Sequence, residues 1–325
     1  MIKRIVAIIT LFASLTALSQ SDLEKLRNDL VKITYDYADP AAGLSVNVAQ
    51  TLWANDAKVN ALGKVTLSGF INYIFVGNKN KEYILRNSDL QILEIAAGQS
   101  TIATPTILGG ATLEKLKGDI DLLGNGTTTP IEFELSDGVS RNGLRSYAFQ
   151  GDVGLGYNTE LMFRYIPKTK IDEVINKGYG FALKHNFSRW FTKLSDNKID
   201  IAALVAYANF VISNETILEL GANRIDREEA EGYTLSYQLL ASKDFKKITV
   251  NTGFAVLSNN YLIRAYGTDT SLLKILNDGL VAKGKTTTNF KIDLGLTYHY
   301  QKMAIYTNFT YSDFSSITLG FNYNL

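Results

Sequence analysis

From Thr288 to Gln301 the chain reads TNFKIDLGLTYHYQ, and this alternation limits its fold more than any other feature. Phe290, Ile292, Leu294, Leu296, Tyr298 and Tyr300 fall on one face of a strand, opposite Lys291, Asp293, Gly295, Thr297, His299 and Gln301. EGYTLSYQLLAS, GYGFALKHNF and the terminal SSITLGFNYNL repeat the pattern. One apolar and one polar face suit either a half-buried soluble sheet or a membrane barrel with lipid outside and a wet lumen.

The first residues favour the barrel. MIKRIVAIITLFASLTALSQ has a basic start at Lys3 and Arg4, an apolar run from Ile5 to Thr16, and small residues at Ala17 and Ser19. That is the pattern of a cleaved secretory signal, with an apolar core too short to span a bilayer. No later apolar run approaches the roughly 18 residues of a membrane helix. Removing Lys3 and Arg4 takes the formal charge from +1 to −1, so no basic surface for nucleic acid is implied. The sequence holds no Cys, which excludes disulfides, thiol chemistry and a lipidated amino-terminal cysteine. Two histidines leave little for metal chemistry, and no cofactor is expected. The 18 Tyr, 16 Phe and 25 Gly beside 4 Pro suit a large β structure.

Along the chain, SDLEKLRNDLVKI has helical spacing at Leu23, Leu26, Leu30 and Ile33 and predicts a short plug helix, ended by Pro40 and Gly43 in YADPAAG. From Leu44 the period is two. Strands are expected to start near Leu44, Val65, Tyr83, Thr159, Gly178, Ile199, Thr216, Gly232, Lys247, Thr286, Met303 and Ser315. Tight turns near Asn214-Glu215, Asp244-Phe245 and Gln301-Lys302 share one parity. Most long connections (55 to 64, 98 to 158, 188 to 198, 225 to 231, 259 to 285) have the other, as in barrels with short periplasmic turns and long external loops. The stretch 98 to 158 exceeds an ordinary loop and predicts a folded insert, either an external cap or a lumen plug. SLLKILNDGL predicts a short capping helix within the 259 to 285 loop.

Residues 159 to 210 carry a resemblance. Arg164, Tyr165, Ile166, Pro167 and Lys168 precede Gly178, Tyr179, Gly180, Lys184, His185 and Trp190, and this resembles an uncharacterised family of Gram-negative outer-membrane barrels with a signal peptide and a short leading helix. TPTILGG matches a weaker block of that family. The family implies location and fold, without an established activity. More distantly, the leading segment and barrel look like the long-chain fatty-acid transporters, which implies transport.

With the aromatic face in lipid, Glu160, Arg164, Lys184, Lys291 and Asp293 line the lumen, because a charge at the bilayer midplane costs about 2–4 kcal/mol. They form either a solute track or an ion-pair network that fills a narrow barrel and holds the amino-terminal helix. Tyr179, His185, Trp190 and Tyr298 are read as membrane-interface residues. A lipase-like pairing of His185 with Ser188 demands hydrogen-bond contact. DREEAE reads as a solvated external loop.

The expected fold is all-β, a transmembrane antiparallel β-barrel of about 12–14 strands with a short amino-terminal helix as plug. Residues 1–19 form the signal, 20–43 the helix and hatch, and 44–325 the barrel. The expected location is the cell outer membrane and the expected role is passive, porin-like transport of a small apolar solute, not catalysis. A structural or surface-interaction barrel and a lipid-modifying enzyme are the alternatives. Expected partners are outer-membrane lipid, lipopolysaccharide, and the insertion machinery that reads the last strand, on a monomeric barrel.

Overall fold

Alternating faces need a closed sheet to satisfy their edges in lipid, and closure is what the structure shows. The computed structural model describes residues 2–121, 126–171, 174–215, 218–220, 223–268 and 271–325, with side chains from Asp22 onward. Helix α1 spans Ile2–Gln50, and β1 is Val65–Phe75. The short strands β2 (Glu82–Arg86), β3 (Leu93–Ile95), β4 (Thr101–Pro105), β5 (Lys115–Ile120) and β6 (Thr129–Glu134) follow. Next come β7 (Gly143–Gly156), β8 (Thr159–Ile171), β9 (Val174–Asn186), α2 (Thr192–Asp196), β10 (Ile199–Asn214) and β11 (Leu218–Leu220). The chain ends with β12 (Asn223–Phe245), β13 (Ile248–Gly267), α3 (Ser271–Ala282), β14 (Lys285–Tyr300), β15 (Met303–Tyr311) and β16 (Ser316–Asn324).

Among the described residues, β1, β7, β8, β9, β10, β12, β13, β14, β15 and β16 pair antiparallel in that order, and β16 returns to β1. The terminal strand closes the barrel, with Tyr323 opposite Leu67 and Ile317 opposite Tyr73. The wall is therefore ten-stranded, fewer than the 12–14 expected. The residues from Leu44 are helical, and those at Tyr83 belong to the small β2–β4 sheet. Thr216 lies outside the described residues, and β11 after it pairs only with β12. Conversely, β7, hidden inside the supposed insert, is a full wall strand.

The outer face carries Phe163, Tyr165, Tyr179, Phe181, Tyr237, Phe254, Phe290, Leu294 and Leu296, each at least two-fifths exposed. The rings of Phe163 and Phe181, Tyr207 and Tyr233, and Phe254 and Phe290 pair across strands. At one end the hairpins are tight. Tyr157 and Asn158 both take positive φ, as a two-residue turn matched to strand twist requires, and Lys246 and Gln301 take it singly. The connection through α2 also lies at this end, as does Leu325. The turn at Asn214-Glu215 lies at the opposite end, so the parity expected for it and for 188 to 198 is reversed.

At that opposite end β12 and β13, of 23 and 20 residues, overrun the 9–11 residues that cross a bilayer. Their outward residues change from Tyr233 and Phe254 to Glu231, Glu229 and Arg264, so DREEAE is strand rather than loop. The insert, residues 76 to 142, folds there as a cap of two small sheets, β2–β4 and β3–β5–β6. Its core joins Leu85, Leu93, Leu116 and Phe133 to Leu26 and Leu30 of α1, Ile225 of β12 and Leu276 of α3. A Cβ on Gly279 would sit 2.5 Å from Val31, so α3 and α1 meet through a glycine.

Candidate functional site

The segment expected to break the helix fills the barrel instead. Pro40 sits inside α1, although a mid-helix proline typically costs about 3 kcal/mol. Around it Ala38, Ala41, Ala42, Leu44, Ser45, Val46 and Ala49 are all buried, while Asp39, Pro40, Gly43 and Asn47 form one half-buried face. A bare helix with small side chains fits a ten-stranded lumen, and packing against the wall offsets the proline. The alternation of Leu44, Val46 and Val48 that suggests a strand has no meaning here, because the wall surrounds most of the helix and buries all three. Leu26, Leu30 and Ile33, expected in the plug, lie in the cap core, and Leu23 is half-buried beside them. The plug proper is the stretch from Tyr37 to Ala57.

The lumen charges hold the end of this helix. The Arg164 side chain is fully buried and donates to the carbonyls of Ala49 (3.3 Å), Thr51 and Leu52 (2.6 Å) and to Gln150 Oε1 at 3.0 and 2.7 Å. Its guanidinium lies 3.9 Å from the Trp53 ring centroid and 4.9 Å from that of Phe70. Lys291 donates to the Gln50 carbonyl at 2.8 Å and pairs with Asp293 at 3.0 Å. Thr51 Oγ1 donates back to Asn47 O at 2.7 Å. The last carbonyls of a helix are orphans bearing partial negative charge, and two cations and a hydroxyl satisfy three of them here.

Below this cap the chain leaves through the tight-turn end. Trp53, 1% exposed, donates to Gln50 Oε1 at 2.7 Å, while Gln150 donates to the Trp53 carbonyl at 2.9 Å. A Cβ on Gly180 would approach the Trp53 ring to 2.8 Å, so the glycine of the GYG block makes room for the indole. Asn186 donates to Ala57 O at 2.8 Å, and Ala57 N donates to Ser242 Oγ at 3.0 Å. Lys58 pairs with Asp244. Asn60 N donates to Glu160 Oε2 at 2.7 Å, and Glu160 pairs across the strands with Lys184 at 3.0 Å. Asp293 also accepts from Thr310 at 2.5 Å.

At the mouth, TPTILGG closes over the helix. Ile107 N donates to Tyr37 O at 3.0 Å, and Tyr37 donates its hydroxyl to Asp137 O at 2.6 Å. Beside it lie cavities of about 10 and 20 Å³, room for a single water, both touching the buried Glu228. Glu228 stands on the part of β12 above the apolar band. Burial pushes its carboxyl up to about 8, and its Oε2 has no hydrogen-bond partner. A larger opening of about 220 Å³ lies between α1 and the wall, lined by Asp39, Asn47, Lys79, Lys285, Asn289 and Asp313. Glu228, expected in a solvated loop as part of DREEAE, is buried instead, and Trp53 carries no expectation from the sequence. Trp53 follows a stretch of small residues, Ala41 to Ala49, which was the available clue.

Tyr179 and Tyr298 face outward at 46% exposure each, and Trp190 is 70% exposed with its ring 5.6 Å from that of His185. His185 Nδ1 hydrogen-bonds Thr159 Oγ1 at 2.9 Å, whereas Ser188 Oγ bonds the backbone of Ile201. The pairing of His185 with Ser188 that a lipase needs is not formed.

Three solved barrels are similar to this chain. The COG4313 outer membrane channel from Pseudomonas putida F1 is 8% identical with a TM-score of 0.39, over 84% of this chain and 100% of that one. The translocator domain of the autotransporter NalP from Neisseria meningitidis is 9% identical with a TM-score of 0.33, over 88% and 95%. The outer membrane protease OmpT from Escherichia coli is 9% identical with a TM-score of 0.32, over 85% and 100%. No curated protein matches by sequence. A family model matches residues 1–325 throughout, so the chain belongs to the family described as DUF6588, a family of unknown function.

Proposed function

We propose that this chain is a closed outer-membrane barrel that anchors a folded cap at the outer surface. The observation that carries the reading is the capped helix end. Arg164 and Lys291 grip the carbonyls from Ala49 to Leu52, and the buried faces of α1 fill the lumen against the wall. Removal of residues 1–19 by signal cleavage leaves the helix that starts the cap core. The end with tight turns and Leu325 faces the periplasm, where the final strand meets the insertion machinery, and the cap faces outward. The barrel works as a monomer in outer-membrane lipid.

Passive transport of a small solute is the second reading. The opening of about 220 Å³ between helix and wall favours it, although its charged lining suits a polar molecule better than an apolar one. Passage would require α1 to leave its carbonyl clamps. Conductance of the refolded mature chain in a planar bilayer separates the two. A silent membrane, with discrete steps only after Arg164→Ala and Lys291→Ala are combined, is expected. Steady channels in the unmodified chain would overturn the closed-anchor reading.

A further inference from the structure

The outer wall is not charged evenly. On β12 and β13, above the apolar band, the chain neutralises itself. Arg264 pairs with Glu231, Tyr266 donates to Glu229 at 3.3 Å, and Arg227 lies 4.3 Å from the Tyr266 ring centroid. On β7, β8 and β9 the arrangement differs. Arg145, Lys168 and Lys177 are exposed, and among the described residues none has a carboxylate within 4 Å. Asp172 and Glu173 lie outside the described residues.

The register brings the two lysines together. Ile166 stands opposite Gly178 and Thr169 opposite Asn176, so the bulge sets Pro167 and Lys168 against Lys177 alone. Like charges facing across strands repel, and Lys170, which pairs with Glu215, does not relieve them. One pair below, Tyr165 and Tyr179 stand opposite each other, both about half exposed. Arg145, opposite Tyr73, lies two residues beyond the exposed Tyr147. Cations with no carboxylate partner among the described residues, directly above an aromatic apolar wall, suit an anion that arrives with acyl chains.

We infer that the β7–β8–β9 wall binds a phosphorylated glycolipid of the outer leaflet. Arg145, Lys168 and Lys177 hold its phosphates, and Tyr147, Phe149 and Tyr165 pack its acyl chains. The guanidinium fork suits two phosphate oxygens at once, and the lysines add point charge. This inference rests on the outer-membrane reading above and deepens it by locating one lipid site.

The test is native mass spectrometry of the full mature chain in detergent, titrated with bis-phosphorylated lipid A, dephosphorylated lipid A or phosphatidylglycerol. Unmodified protein is expected to prefer bis-phosphorylated lipid A at least tenfold over the other two. The combined Arg145→Gln, Lys168→Gln and Lys177→Gln variant loses that preference, Lys177→Gln alone loses part of it, and Lys302→Gln at the tight-turn end keeps it. Equal binding of the three lipids by unmodified protein, or a triple variant within twofold of it, would overturn the inference. Phosphatidylglycerol binding as tightly as bis-phosphorylated lipid A would also overturn it, leaving the wall a site for anionic lipid in general. Heat-modifiable gel migration is recorded for each variant. A chain that never forms a barrel in lipid counts against the outer-membrane reading, whereas an intact barrel with phosphate-blind binding counts against this site alone.

Discussion

Helix α1 crosses two environments, and they are built differently. Its turns at Leu26, Leu30 and Ile33 bury large side chains on one face against the cap. Its later turns, from Ala38 to Ala49, bury mostly small ones around most of the helix inside the wall. The cap half is held by apolar area, a graded and non-directional force. The lumen half is held by directed bonds from Arg164, Lys291, Gln150 and Asn186 to backbone atoms. Damage to the first should loosen locally, and damage to the second should free the plug.

The sharpest way to break this contrast is Arg164→Ala. It strands the carbonyls of Ala49, Thr51 and Leu52 and the amide of Gln150, and is expected to cost roughly 3–5 kcal/mol. Thermal denaturation followed by gel migration checks it, and an unchanged melting temperature would show that the clamp is dispensable. Leu30→Ala, 2% exposed in the parent, removes cap-core volume and is expected to cost about 3 kcal/mol. Hydrogen exchange should rise in β2 to β6 and α3 while the wall strands stay protected. Faster exchange in the wall instead would mean that the two halves are one cooperative unit.

Glu228 at their junction supplies a pH dependence. An unfolded carboxyl releases its proton near 4.5, while the folded one holds it up to about 8. Between these values the folded state binds more protons, so stability is full below about 4.5, falls as pH rises toward 8, and is level above it. The loss should amount to roughly 2 kcal/mol once water entry softens the burial. Denaturation midpoints from pH 4 to 9 measure it, and Glu228→Gln should flatten the profile. The last effect belongs to Gly180→Ala. Its methyl meets the Tyr207 carbonyl oxygen at 2.6 Å and the Trp53 ring at 2.8 Å, and is expected to cost about 1–2 kcal/mol as strand and indole both shift. Fluorescence in a Trp190→Phe background, which leaves Trp53 as the reporter, should move to longer wavelength.

The alternation at Phe290 to Gln301 was enough to place outward-facing and lumen-facing residues, because a period of two survives whichever strand is its neighbour. By the same logic Glu160, Arg164, Lys184, Lys291 and Asp293 were assignable to the inner face before any contact was known. Strand number was not legible. LSVNVAQ alternates as well as a true strand does, and β7 follows a cap that interrupts the pattern.

What Arg164 and Lys291 grip was equally hidden, since their partners are backbone carbonyls, which every residue has. Sequence alone determined the alternating faces of the wall and the helical spacing of residues 21 to 33, whereas the insert expected at 98 to 158 is a cap over 76 to 142 followed by the wall strand β7. Closure at ten strands, the continuation of α1 past Pro40, and the clamp on its end were decided by tertiary structure. Those features depend on a lumen of one particular width, and no segment of the chain carries that width by itself.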